Sequence, residues 1–365
     1  MPKKKANEPA SGSKVRVLVV DDSALVRSIL RTALNQHPQI EVVGQAVDGL
    51  DALAKIASLR PDVVTLDVEM PRLNGIGVLQ RVAGKVPVSF VMISTLTQAG
   101  ARITFEALRL GAFDYVPKPQ KGGIAGLPEF RTAIHEKVLA AARAKGRARR
   151  IFAGGPAAAA PTLPPNAVRG WVVAIGISCG GPPTLTEMLP AFPSDFVPIV
   201  VTQHMPPQFT AAFAHQLGKV CAMRVKEAAE GDVLEQGTVL IAPGDRHMNF
   251  RRVGVNLCVH LDQGPKVSGH RPSADVMFSS LARVCAPRCV GILMTGMGHD
   301  GAEGMAALSQ AGAWTIAQDE ETSLVFGTPK AAIDAGCVDH VVPLPKIPQM
   351  VARLISEGVR AEAHV

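Results

Sequence analysis

A serine lies in a glycine-framed turn, Gly176-Ile177-Ser178-Cys179-Gly180, directly after a run of apolar residues. The G-x-S-x-G pattern marks a sharp strand-to-helix turn that lifts a hydroxyl above a sheet, with outward backbone N–H groups able to stabilise an oxyanion. The same turn fits a glycine-rich phosphate loop equally well, although the G-x-G-x-x-G spacing is absent and no acid follows about 20 positions on. A serine nucleophile needs a base. A second apolar run, VPIVVTQHMPP, ends in Gln203-His204, and a third, VGILMTGMGHDGAEGM, enters a glycine turn holding Asp300. Ser178, His204 and Asp300 thus all fall at strand-to-loop junctions, the rim on which open α/β sheets build their sites. In that reading His204 takes the proton as Ser178 attacks, while Asp300 fixes the imidazole tautomer and stabilises the imidazolium. The order serine, histidine, acid differs from the serine, acid, histidine order of the α/β-hydrolases. Two alternatives stand beside it. His204 and Asp300 fit equally as a buried hydrogen-bonded side chain and as a cap on the helix beginning GAEGMAAL. Cys179, beside the serine, would with a histidine make a thiol hydrolase.

A second set of polar residues closes strand-like runs in the first third of the chain. VRVLVV ends in Asp21-Asp22-Ser23, PDVVTLD in Asp67, VSFVMIS in Ser94 and FDYVPKP in Lys118-Pro119. Three carboxylates on one rim repel one another unless a cation sits between them, and hard oxygen donors in this number suit Mg²⁺. A lysine opposite would neutralise a transferred phosphoryl group. One such aspartate alone reads as a helix cap; three, with a lysine on a further strand, read as a phosphoacceptor pocket.

The elements that must position these residues are short apolar strands alternating with helical patterns such as Leu25, Ile29, Leu30 and Leu34. That alternation predicts doubly wound parallel sheets. At 365 residues, 47% hydrophobic and 19% charged, the chain suits two folded domains rather than disorder. The start, MPKKKANEPASGS, has no apolar segment behind its lysines and no run reaches the roughly 18 residues of a membrane helix. The six cysteines form no CxxC pair and read as reduced thiols, so a cytoplasmic location is expected. The net charge of +7 invites a nucleic-acid reading, but its placement argues otherwise. Residues 121–170 hold nine Lys and Arg against two Asp and Glu, whereas residues 171–365 hold fourteen against eighteen. The Ala/Pro/Gly-rich second half of 121–170 reads as a linker, and with 4% aromatics none interleaves its arginines, so no nucleic-acid partner is expected.

The strings VVDDS, VVTLDVEMP, VMIS and YVPKP resemble the receiver domain of two-component response regulators. The resemblance implies a flavodoxin-like fold over about 14–120, with Asp67 accepting phosphate from a histidine kinase. It also implies Mg²⁺ on Asp21, Asp22 and Asp67, phosphoryl contacts from Ser94 and Lys118, and Tyr115 as a switch aromatic. The strings AIGISCGGP, VTQHMPPQFT, VLIAPGDRHM, GHRPSADVMF, MTGMGHDGAEGM and DEETSLVFGTPKAA resemble the chemotaxis response-regulator protein-glutamate methylesterases, the CheB family. That resemblance implies a hydrolase domain over about 171–360, joined to the receiver through a basic linker (121–170) and preceded by a disordered basic N-terminus (1–13). It implies a Ser178–His204–Asp300 triad without a cofactor in the catalytic domain, and Cys179 and Met297 at or near the oxyanion site. The implied substrates are methylated glutamates, and particular glutamines, on cytoplasmic helices of methyl-accepting chemoreceptors, with peripheral association at receptor arrays. The sequence departs from the family pattern in Cys179 for a usual threonine, His299 for asparagine and Phe326 for tyrosine. A response regulator with a DNA-binding effector would need a basic second half with a helix-turn-helix pattern, and neither is present.

Overall fold

Apolar β-branched runs separated by amphipathic stretches pair here as two parallel sheets, each the centre of one compact unit. The computed structural model describes residues 13–83, 85–95, 97–118, 127–145, 162–163 and 170–362. The N-terminal basic segment up to residue 12 and most of the expected linker lie outside the described residues.

The first ten elements are β1 (Val15–Val20), α1 (Ala24–Asn35), β2 (Ile40–Ala46), α2 (Gly49–Leu59), β3 (Val63–Asp67), α3 (Gly75–Val82), β4 (Ser89–Ser94), α4 (Gln98–Arg109), β5 (Asp114–Pro117) and α5 (Leu127–Arg143). The strands form a parallel sheet in the order β2-β1-β3-β4-β5, the flavodoxin-like arrangement expected from the sequence. Val17–Val20 and Val63–Leu66 are buried, as strands covered on both faces must be. Helix starts follow local chemistry: Ser23 Oγ accepts from the Val26 N–H, Asp48 from the Leu50 and Asp51 N–H groups, and Asn74 from the Gly77 N–H. Strand order reverses between β1 and β3, whose carboxyl ends carry Asp21 and Asp67.

The linker expected over 121–170 differs in its described first part. Leu127–Arg143 is a helix that packs on β3, β4, β5 and α1. Phe130, Ile134, Val138, Ala141 and Ala144 recur at three- and four-residue steps and are buried. The small alanines let the helix approach the sheet closely. Lys137 then turns inward to bond Asp114 Oδ1 at 2.9 Å and the Tyr115 carbonyl at 2.7 Å.

The second unit comprises β6 (Val172–Ile177), α6 (Gly181–Met188), β7 (Ile199–Gln203), α7 (Pro207–Gly218), β8 (Arg224–Glu227), β9 (Thr238–Ile241), β10 (His247–Val253), β11 (Asn256–Asp262), α8 (Ala274–Val284), β12 (Cys289–Leu293), α9 (Ala302–Gln310), β13 (Trp314–Gln318), α10 (Thr328–Asp334), β14 (His340–Val342) and α11 (Ile347–Glu362). Seven strands run parallel in the order β14-β13-β12-β6-β7-β9-β8, and β10–β11 make a separate antiparallel hairpin. The hairpin packs on α8, where the Phe250 N–H donates to Ser280 Oγ at 2.8 Å. Met248, Val259, Met277, Phe278, Leu281 and Met305 share one buried cluster there. The centre of the sheet, β12-β6-β7, is a switch point: the chain leaves β6 to one side and later returns to its other side, opening a crevice at the carboxyl ends.

Ile134 is fully buried in α5. Ile134→Ala is expected to destabilise the five-stranded unit by about 2–5 kcal/mol. Amide hydrogen exchange in β4 and β5 should quicken accordingly, and unchanged exchange would show that α5 is not part of that unit's core.

Candidate active site

The three central strands of the seven-stranded sheet deliver Ser178, His204 and Asp300 to one crevice. Ser178 directly follows β6, and its N–H donates to the Thr295 carbonyl beyond β12 at 3.0 Å. Gly180 takes φ +74° as the N-cap of α6, and a Cβ there would lie 2.8 Å from Leu324 Cδ1, so the turn demands glycine. Gly296 lets the β12 loop come close: a Cβ would stand 3.0 Å from Ser178 Cβ and 2.5 Å from Thr328 Oγ1. Gln203, fully inside the rim, ties the two strand ends together by donating from Nε2 to the Ser178 carbonyl at 3.0 Å and the His204 carbonyl at 3.2 Å.

The His204 ring lies between the other two members. Its Nδ1 is 2.9 Å from Ser178 Oγ and its Nε2 is 2.7 Å from Asp300 Oδ2. A carboxylate can only accept, so the ring hydrogen sits on Nε2 and the Nδ1 lone pair faces the serine hydroxyl. The two ring nitrogens thus serve the reverse of their roles in the chymotrypsin arrangement. Asp300 also accepts from Ser273 Oγ at 2.5 Å, from the Ala274 N–H at 2.7 Å and from the Asp275 N–H at 3.3 Å. Burial acts to raise its pKa, but bonding and charge from His204, then Ser273 and Ala274, hold the carboxyl well below the usual range. The cap alternative is answered in an unexpected way. The N-cap of the helix after Asp300 is Gly301, and the carboxylate instead caps the N-terminus of α8.

In the five-stranded unit Lys118 Nζ stands 2.9 Å from Asp21 Oδ2 and 2.8 Å from Asp67 Oδ2. One carboxylate oxygen from each of Asp21, Asp22 and Asp67 lies within 4.8 Å of the others. None of the three caps a helix; Asp21 Oδ1 accepts from the Ser23 N–H and Asp67 Oδ1 from the Val68 N–H. Asp21 Oδ2 is buried and, despite the nearby ammonium, accepts no well-directed hydrogen bond. Three facing carboxylates with one ammonium between two of them leave negative charge in excess, which fits a hard divalent cation. The Asp67 carboxyl is pushed up to about 6, by burial first and by the Asp21 charge, against the pull of Lys118. Burial acts to depress Lys118, but bonds to Asp67 and Asp21 outweigh it and raise its pKa. Ser94, at the end of β4, and Tyr115, in β5, are both buried.

The CheB methylesterase family model matches residues 173–351 and the response regulator receiver domain model matches residues 17–123. The chain is 46% identical over 95% of its length, and 95% of the relative's, to a protein-glutamate methylesterase/protein-glutamine glutaminase of Pyrococcus abyssi. It is 45% identical over 95% of its length, and 98% of the relative's, to the protein of that name from Salmonella typhimurium. The chain belongs to the CheB methylesterase family. The crystal structure of the Thermotoga maritima CheB methylesterase catalytic domain matches 51% of the chain and all of that domain, at 39% identity and a TM-score of 0.50. The enzyme is therefore a methylesterase carrying a response-regulator receiver.

The departures from the CheB pattern have definite places. Cys179 is buried, and its carbonyl accepts from Thr295 Oγ1 at 3.0 Å. Met297 is half-buried in the loop between β12 and α9, with His299 exposed beside it, and Phe326 bridges to Gly296. Among the described residues no helix is long and apolar enough to cross a membrane, and all six cysteines are unbridged.

Sequence reasoning missed three residues of the crevice: His270, Ser273 and Asp275. Ser273 is the N-cap of α8, a start the serine before ADVMF signals. His270 stacks on His204, with ring centroids 3.7 Å apart and planes 7° from parallel. Burial, then repulsion from His204, Lys266 and His299, pushes its pKa down to about 4, with Asp300 acting the other way. Asp275 is buried against Asp300 and accepts from the Gly304 N–H at 2.8 Å. Burial first, and the Asp300 carboxylate, push it up to about 6.

A carboxyl raised on folding stabilises the fold fully below its unfolded pKa, and that contribution is lost as pH climbs through the folded value. Relative to Asp275→Asn, the wild type should therefore lose about 2 kcal/mol between pH 4 and pH 7. Urea midpoints for both proteins across this range check it; parallel curves would count against a raised Asp275.

Proposed function

We propose that the enzyme removes methyl esters from glutamate side chains of chemoreceptor helices, and deamidates particular glutamines there, through an acyl-enzyme on Ser178. The observation that carries this reading is the unbroken chain Ser178 Oγ, His204 Nδ1, His204 Nε2, Asp300 Oδ2, with contacts of 2.9 and 2.7 Å. Ser178 Oγ attacks the ester carbonyl carbon while its proton passes to His204 Nδ1. The imidazolium, stabilised by Asp300, returns that proton to the departing methoxide, and methanol leaves. Water, deprotonated by His204 in turn, then attacks the acyl carbon; the bond to Ser178 Oγ breaks, His204 returns the proton to that oxygen, and the free glutamate leaves. With glutamine the first leaving group is ammonia and the second half is unchanged. The backbone N–H at Cys179 is the proposed oxyanion donor, with Met297 beside the oxyanion site. His204 Nδ1 is committed to Ser178, which supports a serine over a Cys179 nucleophile.

The receiver reading rests on the Asp21–Asp22–Asp67–Lys118 cluster. Asp67 is the phosphoacceptor for a histidine kinase, Lys118 and Ser94 contact the phosphoryl oxygens, and Tyr115 is the switch aromatic. Asp21, Asp22 and Asp67 would hold Mg²⁺. When bound, the cation offsets phosphoryl charge. Phosphorylation at Asp67 raises esterase activity in the second domain. The domains we assign are a receiver over 14–120, extended by α5, and a catalytic domain over 171–360. Receptor helices and kinase place the enzyme in the cytoplasm, peripheral to receptor arrays, and the basic stretch 121–170 suits an acidic partner surface.

Methanol release from methylated receptor membranes tests both halves. Ser178→Ala should reduce it by at least about 10³-fold and His204→Ala by about 10²–10⁴-fold. A small phosphodonor with Mg²⁺ should stimulate the wild type and not Asp67→Asn. Undiminished release by Ser178→Ala, or equal stimulation of Asp67→Asn, would refute the corresponding half.

A further inference from the structure

We propose that His270 is a positioning residue for ester cleavage: its imidazole, stacked face to face on His204, fixes the plane of the general base and supports the imidazolium. The inference rests on the triad reading above and extends it to a residue outside the triad.

The geometry restricts what His270 can do. With centroids 3.7 Å apart and planes 7° from parallel, it meets His204 through the ring face, not through a hydrogen bond along the proton path. A 180° turn of the His204 ring would put Cδ2 and Cε1 where Nδ1 and Nε2 now stand and lose the present partners of both. A parallel ring at van der Waals distance opposes that rotation and any tilt toward it. It also covers one face of the base against water, which strengthens the bonds along its edge. As the serine proton arrives, His204 becomes a cation lying on a neutral π face, a favourable arrangement when desolvated. A charged His270 would reverse that effect, and its surroundings keep it neutral. Burial first, then His204, Lys266 and His299, disfavour a second positive charge, against the pull of Asp300.

His270 is held on both sides, so the stack does not depend on its own contact alone. Its N–H donates to the Val267 carbonyl at 2.9 Å, and the Val267 N–H donates back at 3.0 Å. Arg271 anchors the next position, donating from Nε and Nη2 to Asp245 Oδ1 at 3.0 and 2.6 Å and from Nη1 to the Gln263 and Gly264 carbonyls at 2.8 and 2.7 Å. Two residues further, Ser273 caps α8 and bonds Asp300. One short segment thus orients the acid of the triad at one end and the base at the other.

The test compares full-length His270→Ala, His270→Phe and Ser178→Ala in methanol release and in labelling of Ser178 by a small alkyl fluorophosphonate. In the labelling, serine oxygen displaces fluoride as its proton passes to His204. His270→Ala should lower kcat about tenfold with KM within about twofold, and slow labelling in parallel. His270→Phe, which keeps an uncharged ring, should recover both to within about threefold of wild type. If both His270 variants match wild type while Ser178→Ala is inactive, the inference fails and the triad stands. If both fall equally, with a lowered Tm, His270 is merely structural and the inference again fails. If Ser178→Ala remains active, the triad reading fails, and this inference with it.

Discussion

The crevice of the methylesterase unit depends on keeping one charge buried, the Asp300 carboxylate. Taking a carboxylate out of water costs several kcal/mol unless donors replace the lost hydration. Four donors do so here: His204 Nε2, Ser273 Oγ and the first two N–H groups of α8. They come from the end of β7 and from a helix start, so the strand register and the docking of α8 must both be correct before the charge is tolerated. The N-terminal dipole of α8 favours the same anion. Asp275 shows the cost of that choice. Two adjoining buried carboxyls cannot both ionise cheaply, and most of the donors favour Asp300, so it is Asp275 whose pKa is raised. Environment, not residue type, selects the acid of the triad.

The receiver unit meets the same electrostatic problem in a different way. Asp21, Asp22 and Asp67 face one another, with the Lys118 ammonium between Asp21 and Asp67. The repulsion is left partly uncompensated, visible in the raised Asp67. That residual demand suits the cation and the phosphoryl group proposed for the site. A site that must orient an imidazole needs its charge already balanced. Both sit where strand order reverses in a parallel sheet, which opens a crevice in each unit for reasons of topology alone.

Much of this was legible in advance. The apolar runs ending in Asp21, Asp67, Ser178 and His204 are strands because β-branched residues buried on both faces read as continuous apolar runs, and a polar residue at the end of such a run marks the rim. Helix α5 was less legible. The stretch HEKVLAAARAKGRARR could extend a helix, but nothing in it alone showed the sheet face that receives Phe130, Ile134 and Val138. His270 was not legible, because nothing in G-H-R-P-S distinguishes a ring that stacks on a catalytic base from one that faces solvent. Asp275 was hidden for a related reason, since an acid in the first turn of a helix usually reads as a favourable end charge.

The sequence by itself determined which strands end in reactive groups, that both sheets are parallel and doubly wound, and where the basic charge is segregated. These are local properties, set by the period of apolar residues and by turn chemistry within a few positions. Only the tertiary structure decided the order β12-β6-β7 that makes three distant strand ends adjacent, the use of Nδ1 toward the serine and Nε2 toward the acid, and the capture of Asp300 by a helix that precedes it in the chain. It also decided the stacking of His270 on the base. Each of these joins groups about 25 to 120 residues apart, and hydrogen-bond direction and ring orientation exist only once packing has fixed both partners in space.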